Sequence, residues 1–187
     1  MSDSLVTEPT RRLLTARQAD TVRRLTEAGI EEVRRSGYES LSIRDVARRA
    51  GVAAATAYTY FGSKDHLLTE IFWRRLSALP PVDPAPPGQN RVIAVLRELA
   101  LLVSAEPELA AGVTAAMFGS EPDVRQLRLQ IGMKIHQRIE AAAGPGSRQA
   151  KVLELAYFGA MVEAGLGYTS YEAMADRLAE AAELIMG

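Results

Sequence analysis

A chain of 187 residues with 48% apolar content can hold one large domain, or a small and a medium one, around a packed core. It has no cysteine, which excludes disulfides and thiolate metal sites, and no uninterrupted run of about 18 apolar residues, which argues against a membrane-spanning helix. The formal net charge is −1, but residues 1–64 hold 11 basic and 8 acidic side chains and residues 65–187 hold 11 and 15, a mildly basic head on an acidic body.

Residues 1–14 contain Pro9 and no sustained period, and read as a disordered arm. They lack the apolar run of a signal peptide, so a cytoplasmic protein is expected. Arg11, Arg12 and Arg17 are expected in a solvated tail, with a basic arm that reaches a DNA minor groove as the alternative. A first helix is predicted from about Thr15 to Ser36, with Val22, Leu25, Gly29 and Val33 facing inward.

The stretch LSIRDVARRAGVAAATAYTYFGSKDHLL, residues 41–68, reads as two short helices and a tight turn, then the start of another helix. Ser42 followed three residues later by Asp45 has the spacing of a capping box. Ile43, Val46, Ala47 and Ala50 recur on one helical face, while Arg44, Arg48 and Arg49 fall off it. Gly51 suits the positive φ of a helix C-terminus. The next helix spans about Ala54 to Tyr60, Gly62 ends it, and Ser63 can cap the one after.

Small residues at the front of that helix allow close approach to a groove floor. The candidate DNA contacts are Arg44, Ala53, Ala55, Thr56, Tyr58, Thr59, Tyr60 and Lys64. Threonine hydroxyls and methyls suit base edges, and tyrosine and lysine suit phosphates. The segment GVAAATAYTYFGSKDHLL resembles the G-V-S-x-x-T-x-Y-x-Y-F-x-S-K-x-x-L signature of TetR-family transcriptional regulators, matching at Gly51, Val52, Thr56, Tyr58, Tyr60, Phe61, Ser63, Lys64 and Leu67. One departure is Ala53, where the family usually has serine. It removes an N-cap worth about 1 kcal/mol and a phosphate contact. The resemblance covers about a third of the chain.

Lys64 to about Leu79 forms the next helix, carrying Leu67, Leu68, Ile71, Phe72 and Leu76. Pro80 to Gly88 holds five of the nine prolines and must be an exposed loop. Helices follow over about Asn90–Ala105, Pro107–Phe118, Pro122–Ala143, Ser147–Gly167 and Ser170–Met186. The expected fold is all-α, about nine helices. A helix-turn-helix head over residues 15–62 joins an effector-binding and dimerisation body over residues 63–187.

The helix after Ser147 is apolar on two faces, Leu153, Tyr157, Met161 and Ala164 on one and Val152, Leu155, Gly159, Val162 and Leu166 on the other. A surface helix needs one such stripe. The family resemblance implies that the last two helices pair with their copies, so the interface candidates are Val152, Leu155, Gly159, Val162, Leu166, Met174, Leu178 and Ile185. A homodimer would place two recognition helices in successive major grooves about 34 Å apart, on a palindromic operator.

The resemblance also implies a small, largely apolar effector. Its candidate contacts are Trp73, Met117, Phe118, Met133, His136, Tyr157, Phe158 and Met161, with His136, Tyr157, Glu163 and Tyr168 as the polar groups. No cofactor or metal is expected: His136 and Glu140 share a helix face without an evident third ligand. There is no phosphate-cradling glycine loop or nucleophile elbow, so the reading is a regulator and not an enzyme. The alternative is a helical protein-interaction module without DNA binding, which a gel shift on the protein's own promoter distinguishes.

Overall fold

The computed structural model describes residues 15–187. The arm over residues 1–14, with Arg11 and Arg12, lies outside the described residues. The helices in chain order are α1 (Ala16–Ser40), α2 (Ile43–Arg49), α3 (Ala54–Tyr60), α4 (Lys64–Ala78), α5 (Gly88–Ala100), α6 (Pro107–Met117), α7 (Pro122–Ala143), α8 (Arg148–Gly165) and α9 (Tyr171–Met186). Among the described residues there is no strand, so the fold is all-α.

Side-chain caps set most helix starts. Thr15 accepts from the Gln18 amide, and the Gln18 carboxamide accepts from the Thr15 amide, a reciprocal box at the start of α1. Ser42, Ser63, Ser147 and Ser170 each accept from the backbone amide three residues on. The box expected at Ser42 is only half formed. The Asp45 carboxylate accepts from the Ser42 hydroxyl at 2.6 Å instead of from its backbone amide, because aspartate is one methylene shorter than the glutamate of a full box. Helix α1 is broken at Gly37, whose φ of 71° carries the chain through the left-handed region before Tyr38.

Helices α1, α2 and α3 pack consecutively, and α4 and α6 lie against α1. Behind them α4, α7, α8, α9 and α5 build the body, with α9 held between α5 and α8. One buried cluster runs from Val22 through Phe61, Leu68 and Leu99 to Ala182. The core is therefore continuous across the turn at residues 62–63, and movement of α4 is felt on both sides of it.

Two expectations are corrected here. Helix α5 ends at Ala100, not Ala105: Leu102 and Val103 still bury apolar surface, but from a string of turns over residues 101–105. Met174 and Leu178, expected at a dimer interface, are 0% and 2% exposed. They belong to the inner face of α9, which packs on α5 and α8, and Ile185 is half-buried against the same core. A single apolar stripe on α9 serves the chain's own interior. No helix among the described residues is long and apolar enough to cross a membrane.

Candidate nucleic-acid interface and effector cavity

The turn between α2 and α3 is closed by backbone and side chain together. Gly51 takes φ 63°, and the Val52 amide reaches back to the Ala47 carbonyl at 2.9 Å, a six-to-one closure. Arg24 of α1 donates to the carbonyls of Ala50 and Gly51, placing a cation at the C-terminal end of α2. Nothing in the periodicity of α1 distinguishes Arg24 from its surface neighbours. A second tie is Glu32, 3% exposed, which accepts from Arg35 and from Arg49 of α2 at 2.6 and 2.7 Å. Burial alone would raise the Glu32 carboxyl, but hydrogen bonds from the two arginines outweigh it and hold it below its usual range.

On this frame α3 turns only Ala57 inward. Ala53, Ala54, Ala55, Thr56, Tyr58 and Thr59 are exposed along one side of the head. Ala53 makes no side-chain cap, so the front amides of α3 face outward without a local acceptor. The Thr59 hydroxyl donates to the Ala55 carbonyl at 3.0 Å, leaving its methyl and a lone pair for a partner. Tyr60 is half-buried against the core, and Tyr58, 46% exposed, is the freer phenol. Arg48 and Arg49 are tied to Asp45 and Glu32. Arg44 is exposed and forms no ion pair among the described residues. Arg17 is exposed in the first turn of α1.

Lys64 is placed differently from its expected role. Its ammonium donates to the carbonyls of Tyr38 and Glu39 at 2.9 and 3.2 Å and lies 4.1 Å from the centre of the Tyr38 ring. The side chain binds the end of α1 to the start of α4 rather than projecting as a free cation. Tyr38 in turn donates to Asp65 at 2.7 Å.

A cavity of about 370 Å³ opens in the body. Its walls are Phe72 of α4, Val113, Thr114 and Met117 of α6, Phe118 just beyond, Arg128, Ile131 and Ile135 of α7, and Tyr157, Phe158, Met161 and Val162 of α8. Five of the expected contacts, Met117, Phe118, Tyr157, Phe158 and Met161, are brought together there. Three are not. Trp73 is half-buried against the core and does not line the cavity, and Met133 and His136 line a separate shallow groove on α7. Helix rotation explains this: Ile131 and Ile135 take the inner face of α7, which turns Met133 outward to 57% exposure.

Of the polar groups expected at the effector, Tyr157 is the one that reaches the cavity. Its phenol donates to the Leu99 carbonyl at 3.4 Å, and burial pushes its ionisation upward. Glu163 pairs with Arg177 of α9, and Tyr168 is 80% exposed. His136 Nδ1 lies 2.8 Å from Glu154 and Nε2 3.8 Å from Glu140. The carboxylates flank opposite edges of the ring, so the three do not converge on one ion. Val113, Thr114 and Arg128 escaped the sequence reading because small residues on α6 look like core and an arginine on α7 looks like surface.

The cavity and the head meet at the corner between α6 and α7. Ser63, the cap of α4, donates to Glu121. A methyl placed on Gly119 would stand 3.0 Å from Asp65, and His66 Nδ1 is 3.7 Å from Asp123. From the other side Arg128 grips the corner, donating to the carbonyls of Met117 and Gly119 at 2.6 and 3.3 Å.

The family model described as "Bacterial regulatory proteins, tetR family" matches residues 25–71, which span α2, α3 and parts of α1 and α4. The HTH-type transcriptional regulator Rv0767c of Mycobacterium tuberculosis (strain ATCC 25618 / H37Rv), itself uncharacterized, is 43% identical over 199 residues, covering 99% of this chain and 93% of that protein. The chain belongs to the TetR family of transcriptional regulators. The HTH-type transcriptional repressor KstR of Rhodococcus jostii (strain RHA1) is 30% identical over 129 residues, 67% of this chain and 60% of that protein. A solved TetR transcriptional regulator from Rhodococcus sp. RHA1 superposes with a TM-score of 0.70 at 24% identity, covering 87% of this chain and 95% of that one. As a TetR-family protein, this chain is a DNA-binding helix-turn-helix regulator.

Proposed function

We propose that this TetR-family chain is a homodimeric repressor that grips a palindromic operator through two copies of α3 and lets go when a small apolar molecule fills the α4–α6–α7–α8 cavity. Residues 15–62 hold DNA; residues 63–187 bind the effector and the second copy. The observation that carries the reading is the double duty of α4. Phe72 is part of the cavity wall, while at the start of the same helix the cap Ser63 bonds Glu121 of the α6–α7 corner and Lys64 and Asp65 bond Tyr38 at the end of α1. An effector shifts the DNA equilibrium only by its differential affinity for two positions of α4, and a helix that packs on both the cavity and the head can have two such positions.

The second copy is expected on the outer face of α8. Leu155 is 74% exposed, Leu166 59%, Val152 49% and Val162 36%. Gly159 between them has open space where a side chain would project. An apolar stripe this continuous is unusual on a monomer's surface. The adjoining edge of α9 adds Ala173, Ala181 and the exposed Leu184. Phosphates are expected at Tyr58 and at the open amides of α3, and bases at Thr56, Thr59 and Arg44.

Two measurements test this. Light scattering at micromolar concentration should return twice the chain mass; a clean monomer would remove the two-fold geometry. A gel shift on DNA spanning the protein's own promoter should show retardation. Its absence at modest salt would favour the interaction-module reading.

A further inference from the structure

We infer that the effector is an amphiphilic anion with a single apolar chain, its head group received by Arg128 at the cavity mouth. The inference rests on the reading of the cavity as the effector site and goes further in naming the chemistry. Among the lining side chains, only Thr114, Tyr157 and Arg128 carry nitrogen or oxygen. The Tyr157 phenol is occupied by the Leu99 carbonyl, and Thr114 is buried in the α6 wall against Gly165. Arg128 is therefore the one full charge on the cavity.

Arg128 has no carboxylate partner among the described residues. Its Nη1 is held by two neutral carbonyls, those of Met117 and Gly119. A carboxylate or phosphate is a stronger acceptor than a carbonyl and matches the guanidinium fork in two-point geometry. The side chain is also the junction between two compartments. It lines the apolar cavity and, on its other side, the shallow groove formed with Leu129, Gly132, Met133, His136, Gln137 and Glu154. The carboxylate in that groove, Glu154, is turned onto His136 Nδ1. An apolar interior, a lone cation at the mouth and a more polar groove beyond it fit a tail, an anionic head and a larger attached group.

The tail has room. A cavity of about 370 Å³ lies within the ordinary range for small-molecule sites. Each methylene added to a chain that still fits should tighten binding about fourfold, from about 0.8 kcal/mol per buried methylene. The head adds discrimination: a charge-assisted pair with Arg128 should favour an anion over an uncharged head of the same chain by about tenfold or more.

Calorimetric titration of the full chain with decanoate, decanoyl-CoA and 1-decanol tests this, repeated with Arg128→Gln and Arg128→Lys. Arg128 is exposed, and matched melting temperatures will confirm that both variants fold. The expected result has the anions at least tenfold tighter than 1-decanol on the native protein, level with it on Arg128→Gln, and partly restored on Arg128→Lys. Tighter binding of decanoate marks the head as a carboxylate, and tighter binding of the CoA ester marks it as the phosphates; either supports the inference. Equal affinity for decanoate, decanoyl-CoA and 1-decanol on the native protein, or an anion preference that survives Arg128→Gln, would overturn it while leaving the cavity as effector site intact. If no ten-carbon ligand binds at all, both the head-group assignment and the apolar-effector reading fall.

Discussion

Serine in place of Ala53 should stabilise α3. Ala53 already has N-cap backbone angles, φ −61° and ψ 138°, but no side chain to accept from the front of α3. The serines that cap α2, α4, α8 and α9 accept at 3.1–3.2 Å from the amide three residues on. A serine at position 53 needs no backbone change to do the same for Thr56. The gain expected of such a cap is about 1 kcal/mol, which for a chain of this size raises the melting temperature by about 2–4 °C. The assay is a thermal melt of the full chain by circular dichroism at fixed protein concentration, since the proposed dimerisation would make the midpoint concentration-dependent. Ser170→Ala, which removes the cap of α9, is the calibrating control and should fall by a similar amount. If Ser170→Ala falls and Ala53→Ser does not rise, the open amides of α3 are not limiting and the reasoning is wrong. The new hydroxyl can also donate to a phosphate, so affinity should rise on all DNA sequences alike.

Other consequences follow from the packing. Gly165→Ala would place a methyl 2.2 Å from Thr114 Oγ1; overpacking of this kind costs about 1–3 kcal/mol in denaturant unfolding and should narrow the cavity that Thr114 lines. Leu155→Arg, on the exposed face of α8, should leave the protomer folded but give monomers by light scattering, with loss of operator affinity. The lowered Glu32 carboxyl contributes stability that is fully present above the ordinary glutamate value of 4.5 and is lost as pH falls through its lower folded value. Melting temperature followed from neutral to acid pH should therefore drop more steeply in the native protein than in Glu32→Gln. An unchanged acid limb in that variant would mean the α1–α2 tie does not depend on the charge.

Much of the fold was legible because its boundaries are chemical. Ser42, Ser63, Ser147 and Ser170 mark helix starts, the prolines after residue 79 mark a loop, and Gly51 marks a turn. Legibility failed where a side chain's job is decided by a distant segment. A 3.6-residue stripe on α9 says only that Met174 and Leu178 are buried, not whether by this chain or by a copy of it. Arg24, Lys64 and Arg128 all read as surface cations, yet each holds backbone carbonyls 9–27 residues away in sequence. The cavity was half legible: aromatics and methionines of α6 and α8 announced it, while Phe72, Val113, Ile131 and Ile135 were indistinguishable from core until the helices were placed.

The most direct test is a footprint with stoichiometry on DNA spanning the protein's own promoter. The proposed two-fold docking of α3 predicts two protected half-sites related by a two-fold axis, about one helical turn apart from centre to centre, saturated by protomers in multiples of two. It also predicts that protection is lost when Thr56 and Tyr58 are replaced together by alanine. A single protected half-site saturated by one protomer, or no protection at modest salt, would contradict it.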